Sequence, residues 1–264
     1  MTLPERQLED QLIEKHQGLK YDYRSDKRRL PHAVGLRRKV ERILIATPMP
    51  NPRQRIIDHG EVFTPPELVN QMLDLVSHEC ERVDSRFLEP ACGDGNFLAE
   101  VLRRKLLTVD KKHARNREKW ELEAILSVCS LYGIDLLPDN ITACRDRLLK
   151  VVSETYAARF NAPLPEPVAR AATYILSQNI VQGDALHMRT AESSPIVFPE
   201  WSPLGRARLN RRDYAYDELA SQNDFALSSQ ENDLGQRIFP PPKPVADYPP
   251  CHYLKVAEQA EGRR

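Results

Sequence analysis

Long apolar runs are missing from this 264-residue sequence. No run approaches the 18 residues that a membrane-spanning helix needs, and the N-terminus has no charged segment followed by an apolar one. The five cysteines are odd in number and show neither CxxC nor Cys/His spacing, so neither a disulfide framework nor a cysteine-based metal site is expected. We therefore expect reduced thiols, no membrane or secretion role and, by default, a cytoplasmic location.

An excess of either charge is also missing, since 38 Lys and Arg balance 38 Asp and Glu. The chain as a whole is therefore not expected to bind polyanions. Locally, residues 1–60 carry 13 basic against 8 acidic residues, with most of the surplus in residues 24–42, and a second basic cluster spans residues 103–119. Each cluster is either a solvated helix face or a surface that contacts phosphates, and charge alone leaves both open.

Short strands and amphipathic helices alternate over the middle of the chain. Strand-like segments lie at 86–90, 131–136 and 179–186, and helical segments at 95–107, 119–130 and 138–156. This alternation predicts an α/β fold with a parallel sheet and right-handed crossovers. Ligands of such sheets bind beyond the carboxyl ends of the strands, so those ends are where functional residues are sought.

The flanks of this region are organised differently. Helical spacing at 5–17 and 36–46 predicts an N-terminal helical extension over residues 1–58, ahead of a core at 59–190. Residues 191–264 are predicted to form a hairpin that turns near Ser202–Gly205, followed by an extended, proline-rich tail. No internal repeat is visible.

A further helix is predicted just before the first strand. Thr64 is a candidate N-cap, and Glu67 completes the spacing of a capping box. The apolar stripe expected to be buried on this helix consists of Leu68, Met72, Leu75 and Val76.

Each of the three strand ends carries a glycine or acidic element. In FLEPACGDGNFL (87–98), Gly93 and Gly95 permit close backbone approach to a ligand, and Asn96 opens a helix with free N–H groups; a purely structural turn is the alternative. Asp135 is positioned either to accept the hydroxyl protons of a ribose or to cap the helix that begins at Pro138. Asp184 could accept a hydrogen bond from an adenine amino group. Together these elements indicate a nucleoside site.

Four segments, GEVFTPPELVNQML, FLEPACGDGNFL, YGIDLLPDNITACRDRL and NIVQGDAL, together resemble successive motifs of the amino-group DNA methyltransferases that modify adenine. The similarity is to the gamma-ordered group, found as modification subunits of restriction systems and in fused restriction-modification enzymes, and it covers about residues 60–186. It implies a Rossmann-like class I methyltransferase fold and S-adenosylmethionine as cofactor. The sequence departs mildly from the group's pattern, with Glu89 for the commoner aspartate and Asp94 for the commoner serine.

The resemblance also implies which residues bind the cofactor. They are Phe63, Thr64, Pro65, Glu89, Pro90, Ala91, Cys92, Gly93, Gly95, Asn96, Phe97, Asp135, Leu136, Asp184 and Ala185.

The catalytic loop of that group is not found in the sequence. Amino-group methyltransferases present the target amine with a loop of the pattern [Asn/Asp/Ser]-Pro-Pro-[Tyr/Phe/Trp], and no such tetrapeptide occurs. DYPPCHY (247–253) has Tyr248 before its prolines and Cys251 where the aromatic ring belongs, and FPPPKP (239–244) has no polar residue ahead of its prolines. We therefore expect no catalytic residue of this kind on the chain.

The expected sheet is incomplete, because methyltransferases of this fold have about seven strands and only three are convincing here. The resemblance thus implies the S-adenosylmethionine-binding subunit of a two-chain, adenine-specific DNA methyltransferase in a restriction-modification or anti-phage system. A partner subunit would carry the catalytic loop and recognise the target in double-stranded DNA, docking on the hairpin and the proline-rich tail; Trp201, Tyr214 and Tyr216 are either part of that surface or core residues. An inactive cofactor-binding scaffold or sensor of a defence complex is the alternative, and a protein glutamine or RNA substrate is a third possibility.

Overall fold

A computed structural model describes residues 64–224, 230–231, 237–238 and 242–261 of the chain. By its internal contacts the chain divides into residues 1–55 and 56–264, and every described residue belongs to the second unit. The predicted N-terminal helical extension, the basic segment 24–42 and Phe63 lie outside the described residues. Within the described ranges, no helix is both long enough and apolar enough to cross a membrane.

Three strands form the parallel sheet that the sequence predicts. They are β1 (Phe87–Glu89), β2 (Leu131–Asp135) and β3 (Ile180–Gln182), in the spatial order β1-β2-β3. Phe87 pairs with Leu131, and Gly133 pairs with Ile180. The mixed α/β arrangement around this sheet is consistent with a Rossmann-like fold. The third strand is shorter than expected because the chain turns at Gly183, where an added Cβ would lie 2.7 Å from the carbonyl oxygen of Arg189.

Six helices precede, connect and pack on these strands: α1 (Pro66–Asp74), α2 (Ser77–Cys80), α3 (Asn96–His113), α4 (Arg117–Cys129), α5 (Pro138–Phe160) and α6 (Glu166–Asn179). Their apolar faces share one buried cluster with Phe87, Leu131 and Ile180 of the sheet. The register places these three strand residues on the same face. The helices therefore cover one face of the sheet.

The other face of the sheet is covered by part of an antiparallel sheet. Strands β4 (Val197–Leu204) and β5 (Arg208–Ala215) form the predicted hairpin, with the turn at residues 205–207 rather than 202–205. Ile196 and Phe198 pack against Tyr132 and Ile134 of β2. Further along the chain are α7 (Tyr216–Asp224), the short pair β6 (Gln230–Glu231) and β7 (Arg237–Ile238), β8 (Ala246–His252), the 3-10 helix Tyr253–Lys255, and α8 (Glu258–Glu261).

Buried polar contacts bind this hairpin to the helical layer. The indole N–H of Trp201 donates to Asn179 Oδ1 at 2.9 Å, and Arg211 forms a bidentate pair with Asp213 while reaching Gln178 on α6. Trp201 and Tyr214 are both buried. Trp201 and Tyr214 are therefore core residues, which is one of the two roles predicted for them. They do not form an exposed surface on which a partner could dock.

Two local predictions are wrong. Helix α1 has Pro65, not Thr64, at its N-cap, and its buried residues are Val69 and Leu73. The residues expected to be buried are exposed, Leu75 at 83%. The Thr64 carbonyl instead accepts a hydrogen bond from the side chain of Asn96.

Helix α6 was not predicted, although its Val168, Ala171, Ala172, Ile175 and Leu176 have the spacing of a buried helical face.

Candidate functional site

A cavity of about 390 Å³ lies beyond the carboxyl ends of the three parallel strands. Its volume is in the range typical of sites for small molecules and cofactors. The lining residues come from the segment before α1 and the end of that helix, from the three strand ends and the loops that follow them, and from the starts of α3 and α5: Thr64, Met72, Glu89, Pro90, Ala91, Cys92, Gly93, Asp94, Asn96, Phe97, Asp135, Leu136, Leu137, Asn140, Gly183, Asp184, Ala185 and Leu186.

The glycine-bearing loop after β1 forms one wall of this cavity. Gly93 (φ 50°) lines the cavity, whereas Gly95 (φ 84°) is the N-cap of α3 and does not. A Cβ at Gly95 would lie 2.7 Å from the sulfur of Cys144, so a side chain is excluded by both backbone conformation and space. Gly95 is therefore needed for the turn and for the close packing of the turn on α5. At Gly93, by contrast, the backbone itself lies against the cavity.

The carboxylate of Asp135, at the end of β2, connects that loop to the following helix. Its Oδ2 accepts from the Gly93 N–H at 2.9 Å, and its Oδ1 accepts from the Leu137 N–H at 2.9 Å and from the Asn140 side chain at 3.1 Å. A carboxylate has about four acceptor positions, so one remains for a ligand hydroxyl. Asp135 therefore braces the loop and can still contact a ribose. The predicted cap of the following helix is wrong, because the N-cap residue of α5 is Leu137 and no side-chain cap hydrogen bond is formed there.

Asn96 and Arg147 fix the other side of the loop. The guanidinium of Arg147, on α5, donates to Asn96 Oδ1 at 3.0 Å and forms a short ion pair with Asp94. The Asn96 amide donates to the Thr64 carbonyl at 3.2 Å. The aspartate that stands where serine is commoner is thus used to hold the loop to α5.

Glu89, at the end of β1, is a partly buried carboxylate in the cavity wall. Burial raises its pKa, and a hydrogen bond from the Ala91 N–H opposes the shift. Among the described residues, no Lys or Arg forms an ion pair with it. A ligand cation near Glu89 would offset the cost of keeping this carboxylate charged, so the cavity favours a positively charged ligand.

Asp184, after β3, is held by the turn that follows it. Its carboxylate accepts from the N–H groups of Leu186 and His187 at 2.9 and 3.1 Å, and it pairs with His187 Nδ1 at 2.7 Å. The contact with His187 lowers the pKa of Asp184. The side chain is therefore oriented largely by its own turn, and it retains at most one acceptor position for a ligand amine.

Cys92 lines the cavity, but its thiol is unsuited to nucleophilic chemistry. The contact with Cys144 and burial both raise the pKa of Cys92, so it stays protonated near neutral pH. Its role is packing, since a Cβ at Gly133 would approach its sulfur to 3.0 Å.

In the part of the chain that the structure describes, no group of three or more His, Cys, Asp or Glu residues is arranged to hold a metal ion.

The cavity brings together most of the residues predicted from the resemblance. Two of them, Pro65 and Gly95, do not line it. The sequence interpretation missed six lining residues: Met72, Asp94, Leu137, Asn140, Gly183 and Leu186. Of these six residues, Asn140 could most easily have been predicted from the sequence, because it lies in the first turn of the helix that follows Asp135.

The described residues of the two rejected proline segments do not line the cavity. The DYPPCHY segment lies largely in β8, an antiparallel strand paired only with β5 among the described residues, and none of its residues lines the cavity. The segment FPPPKP is described only from Pro242 onward. In the described ranges, therefore, no proline loop of this kind follows a parallel strand.

The basic cluster 103–119 lies mostly away from the cavity. Arg103 and Arg104 pair with acidic side chains, including a 2.8 Å contact between Arg104 and Asp74. Lys111 and Lys112 are at the carboxyl end of α3, and its 18 residues separate them from the cavity end of the helix by about 25 Å. This placement favours a solvated helix face over a phosphate contact at the cavity mouth.

Comparison with known proteins gives a distant relative. The type II methyltransferase M.BstVI of Geobacillus stearothermophilus is 29% identical over 163 residues, which are 61% of this chain and 26% of the relative. The similarity supports a methyltransferase role. The chain spans about a quarter of that relative's length. No family model and no solved structure matches the chain.

Proposed function

We propose that this chain is the S-adenosylmethionine-binding subunit of a two-chain, adenine-specific DNA methyltransferase of the gamma-ordered group. The observation that carries the proposal is the cavity at the ends of three parallel strands, lined by Glu89, Asp135 and Asp184. Similarity to a type II methyltransferase, for which S-adenosylmethionine is the usual cofactor, supports the same assignment.

The residues present fit this cofactor in size and charge. The cavity volume of about 390 Å³ suits a nucleoside with an amino-acid tail, and the partly buried Glu89 favours a cation. Asp135 would accept a ribose hydroxyl with its remaining acceptor position, and Asp184 would face the adenine amino group. Bound S-adenosylmethionine supplies an electrophilic methyl group on a sulfonium centre. The apolar lining residues Phe97 and Leu136 would exclude water around the bound nucleoside.

Adenine in double-stranded DNA is the proposed substrate. The support is the resemblance of residues 60–186 to the adenine-modifying group, together with the similarity to a type II enzyme. No Pro-Pro-aromatic tetrapeptide that could polarise an amine occurs in these 264 residues. In the proposed enzyme, a partner subunit supplies that loop and the recognition of the target sequence, with restriction-modification or anti-phage defence as the setting.

Reconstitution tests this proposal. The chain would be co-expressed with the protein encoded by the neighbouring reading frame, and transfer of a tritiated methyl group to DNA would be followed, with N6-methyladenine identified in the product. We expect transfer by the complex, none by either chain alone, and loss of transfer with Asp135→Ala. Transfer by the isolated chain, or to cytosine, would contradict the proposal.

The missing amine-presenting loop favours a second candidate, an inactive scaffold or sensor that binds the cofactor within a defence complex. Both candidates bind S-adenosylmethionine. A stable, cofactor-loaded complex that methylates no DNA would support the scaffold. Transfer to a protein glutamine or to RNA in the same assay would instead identify a different substrate.

A further inference from the structure

Six exposed basic side chains lie together at the end of the helical layer that is remote from the cavity. They come from the end of α3, the loop that follows it, the first turn of α4 and the end of α5: Lys111, Lys112, Arg115, Arg117, Lys119 and Arg159. The end of α5 belongs to this group because the Arg117 guanidinium lies 5.1 Å from the centre of the ring of Phe160, the neighbour of Arg159. We call these six residues the distal basic surface.

The charges of the distal basic surface are not neutralised by ion pairs. Within the described ranges, none of its six side chains pairs with a carboxylate, whereas most of the other described arginines do. Two nearby carboxylates have other partners, since Asp110 accepts from the Trp120 indole N–H and Glu123 contacts His113. The surface therefore concentrates positive charge, although the chain as a whole has no net charge.

Helix stability explains only part of this surface. Lysines in the last turn of α3 interact favourably with the helix dipole, but Arg117 and Lys119 lie in the first turn of α4, where the dipole opposes positive charge. The cap of α4 is already made by Asn116, whose side chain accepts from the Lys119 N–H at 3.0 Å. Arg117 and Lys119 therefore cost some helix stability, and a bound anion would offset that cost.

The surroundings of the surface favour a phosphate ligand over a protein partner. Among the described residues, no large apolar side chain between Leu107 and Leu136 is exposed. The centre of a protein interface is depleted of charged residues and rich in apolar ones, whereas interfaces with DNA are polar and strongly positive. The distal basic surface has the second character.

We propose that the distal basic surface binds the phosphate backbone of duplex DNA, independently of sequence. The choice of DNA among polyanions rests on the proposed function, whose substrate is DNA. The 18 residues of α3 place the surface about 25 Å from the cavity end of that helix. The phosphates that it binds are therefore remote from any base held at the cavity, and the surface contributes to affinity without selecting the target.

The salt dependence of DNA binding tests this surface. The isolated chain would be titrated into a short, fluorescently labelled duplex at several salt concentrations, and binding would be followed by anisotropy. Lys111→Gln/Arg115→Gln/Lys119→Gln should weaken binding at least about 10-fold at low salt and reduce the slope of log K against log salt by about 2 to 3, because three phosphate contacts are lost. Two duplexes of unrelated sequence should respond equally.

Two control variants separate a local effect from the overall charge. Arg103→Gln/Lys150→Gln/Lys243→Gln removes the same charge from exposed positions elsewhere and should keep the wild-type slope. Lys111→Arg/Arg115→Lys/Lys119→Arg keeps the charge of the surface and should bind like the wild type. Thermal unfolding checks that all three variants remain folded.

No binding of duplex DNA by the wild-type chain at low salt, an unchanged slope in Lys111→Gln/Arg115→Gln/Lys119→Gln, or equal losses in the two neutralised variants would each overturn the proposal. A preference for single-stranded RNA over duplex DNA would also contradict it. Calorimetry with S-adenosylmethionine separates this inference from the proposed function, because the neutralised surface should leave cofactor affinity unchanged. A wild-type chain that binds DNA through this surface but binds no cofactor would refute only the proposed function.

Discussion

The Asp135 carboxylate accepts a hydrogen bond from the Gly93 N–H at 2.9 Å, although 42 residues separate the two in sequence. The contact links the ends of two neighbouring parallel strands across the cavity. Because the same carboxylate also accepts from Leu137 and Asn140, it fixes the glycine loop relative to the start of α5. The residue proposed to contact the cofactor ribose therefore also shapes the cavity.

Asp135→Ala should weaken S-adenosylmethionine binding by on the order of 10- to 100-fold, since three protein donors and one ligand hydroxyl lose a charged acceptor. Isothermal titration calorimetry measures this change. Asp84→Ala is the control, because Asp84 is exposed and pairs with Arg82 away from the cavity. Equal affinities for Asp135→Ala and the wild type would remove Asp135 from the site.

Cofactor affinity should decrease as the pH falls through the raised pKa of Glu89. Protonated Glu89 carries no charge and gives no attraction to a cation, so the favourable interaction is present above that pKa and lost below it. Glu89→Gln should weaken binding at neutral pH and flatten the dependence on pH. Titrations between pH 5 and pH 8 check this, with the exposed Glu81→Gln as control. A mutant profile as steep as that of the wild type would show that Glu89 is not the titrating group.

Gly95→Ala should destabilise the fold by at least about 2 kcal/mol, because it combines a left-handed backbone with a Cβ 2.7 Å from the Cys144 sulfur. Gly205→Ala, in the hairpin turn, should change stability by less than about 0.5 kcal/mol, since nothing lies within 4 Å of its added Cβ. Urea denaturation followed by circular dichroism compares the two. Similar midpoints would contradict the packing described at Gly95.

Lys105→Met should destabilise the protein by about 2–4 kcal/mol, because it removes a buried ammonium on which three backbone carbonyls depend for a donor. The Lys105 ammonium contacts the carbonyl oxygens of Arg82 at 2.7 Å, Val83 at 3.2 Å and Ser85 at 2.6 Å. The matched control is Lys112→Met on the exposed end of α3, for which a change below about 0.5 kcal/mol is expected. Thermal unfolding of the two variants would show no difference if the ammonium were dispensable.

The lysine also predicts a dependence of stability on pH. Burial lowers the pKa of Lys105 to about 8 from 10.5. The folded protein then releases this proton more readily than the unfolded chain, so this group's contribution to stability should rise as the pH increases from about 8 toward 10.5. Denaturation midpoints of the wild type and Lys105→Met across that window measure the contribution, and parallel profiles would contradict it.

The sequence was sufficient to predict how the three strand ends converge. Glycine or acidic residues follow each short strand, and parallel strands place their carboxyl ends at one edge of the sheet. Gly93, Asp135 and Asp184 consequently line one cavity. The hydrogen bonds that hold the glycine loop in place were not predictable from the sequence. The contact of Arg147 with Asn96, for example, depends on how α5 packs on α3.

The buried face of α1 was mispredicted for a related reason. Its apolar residues occupy two adjacent stripes, one with Leu68, Met72 and Leu75 and another with Val69 and Leu73. Helical periodicity does not choose between them, and the choice is made by where α3 lies. Met72, on the rejected stripe, lines the cavity instead.

Calorimetric titration of S-adenosylmethionine into the isolated chain, without DNA or partner, decides whether the cavity is a cofactor site. We predict saturable binding of one cofactor per chain, tighter at pH 8 than at pH 5, with no methyl transfer. The absence of saturable binding to the wild-type chain would contradict it.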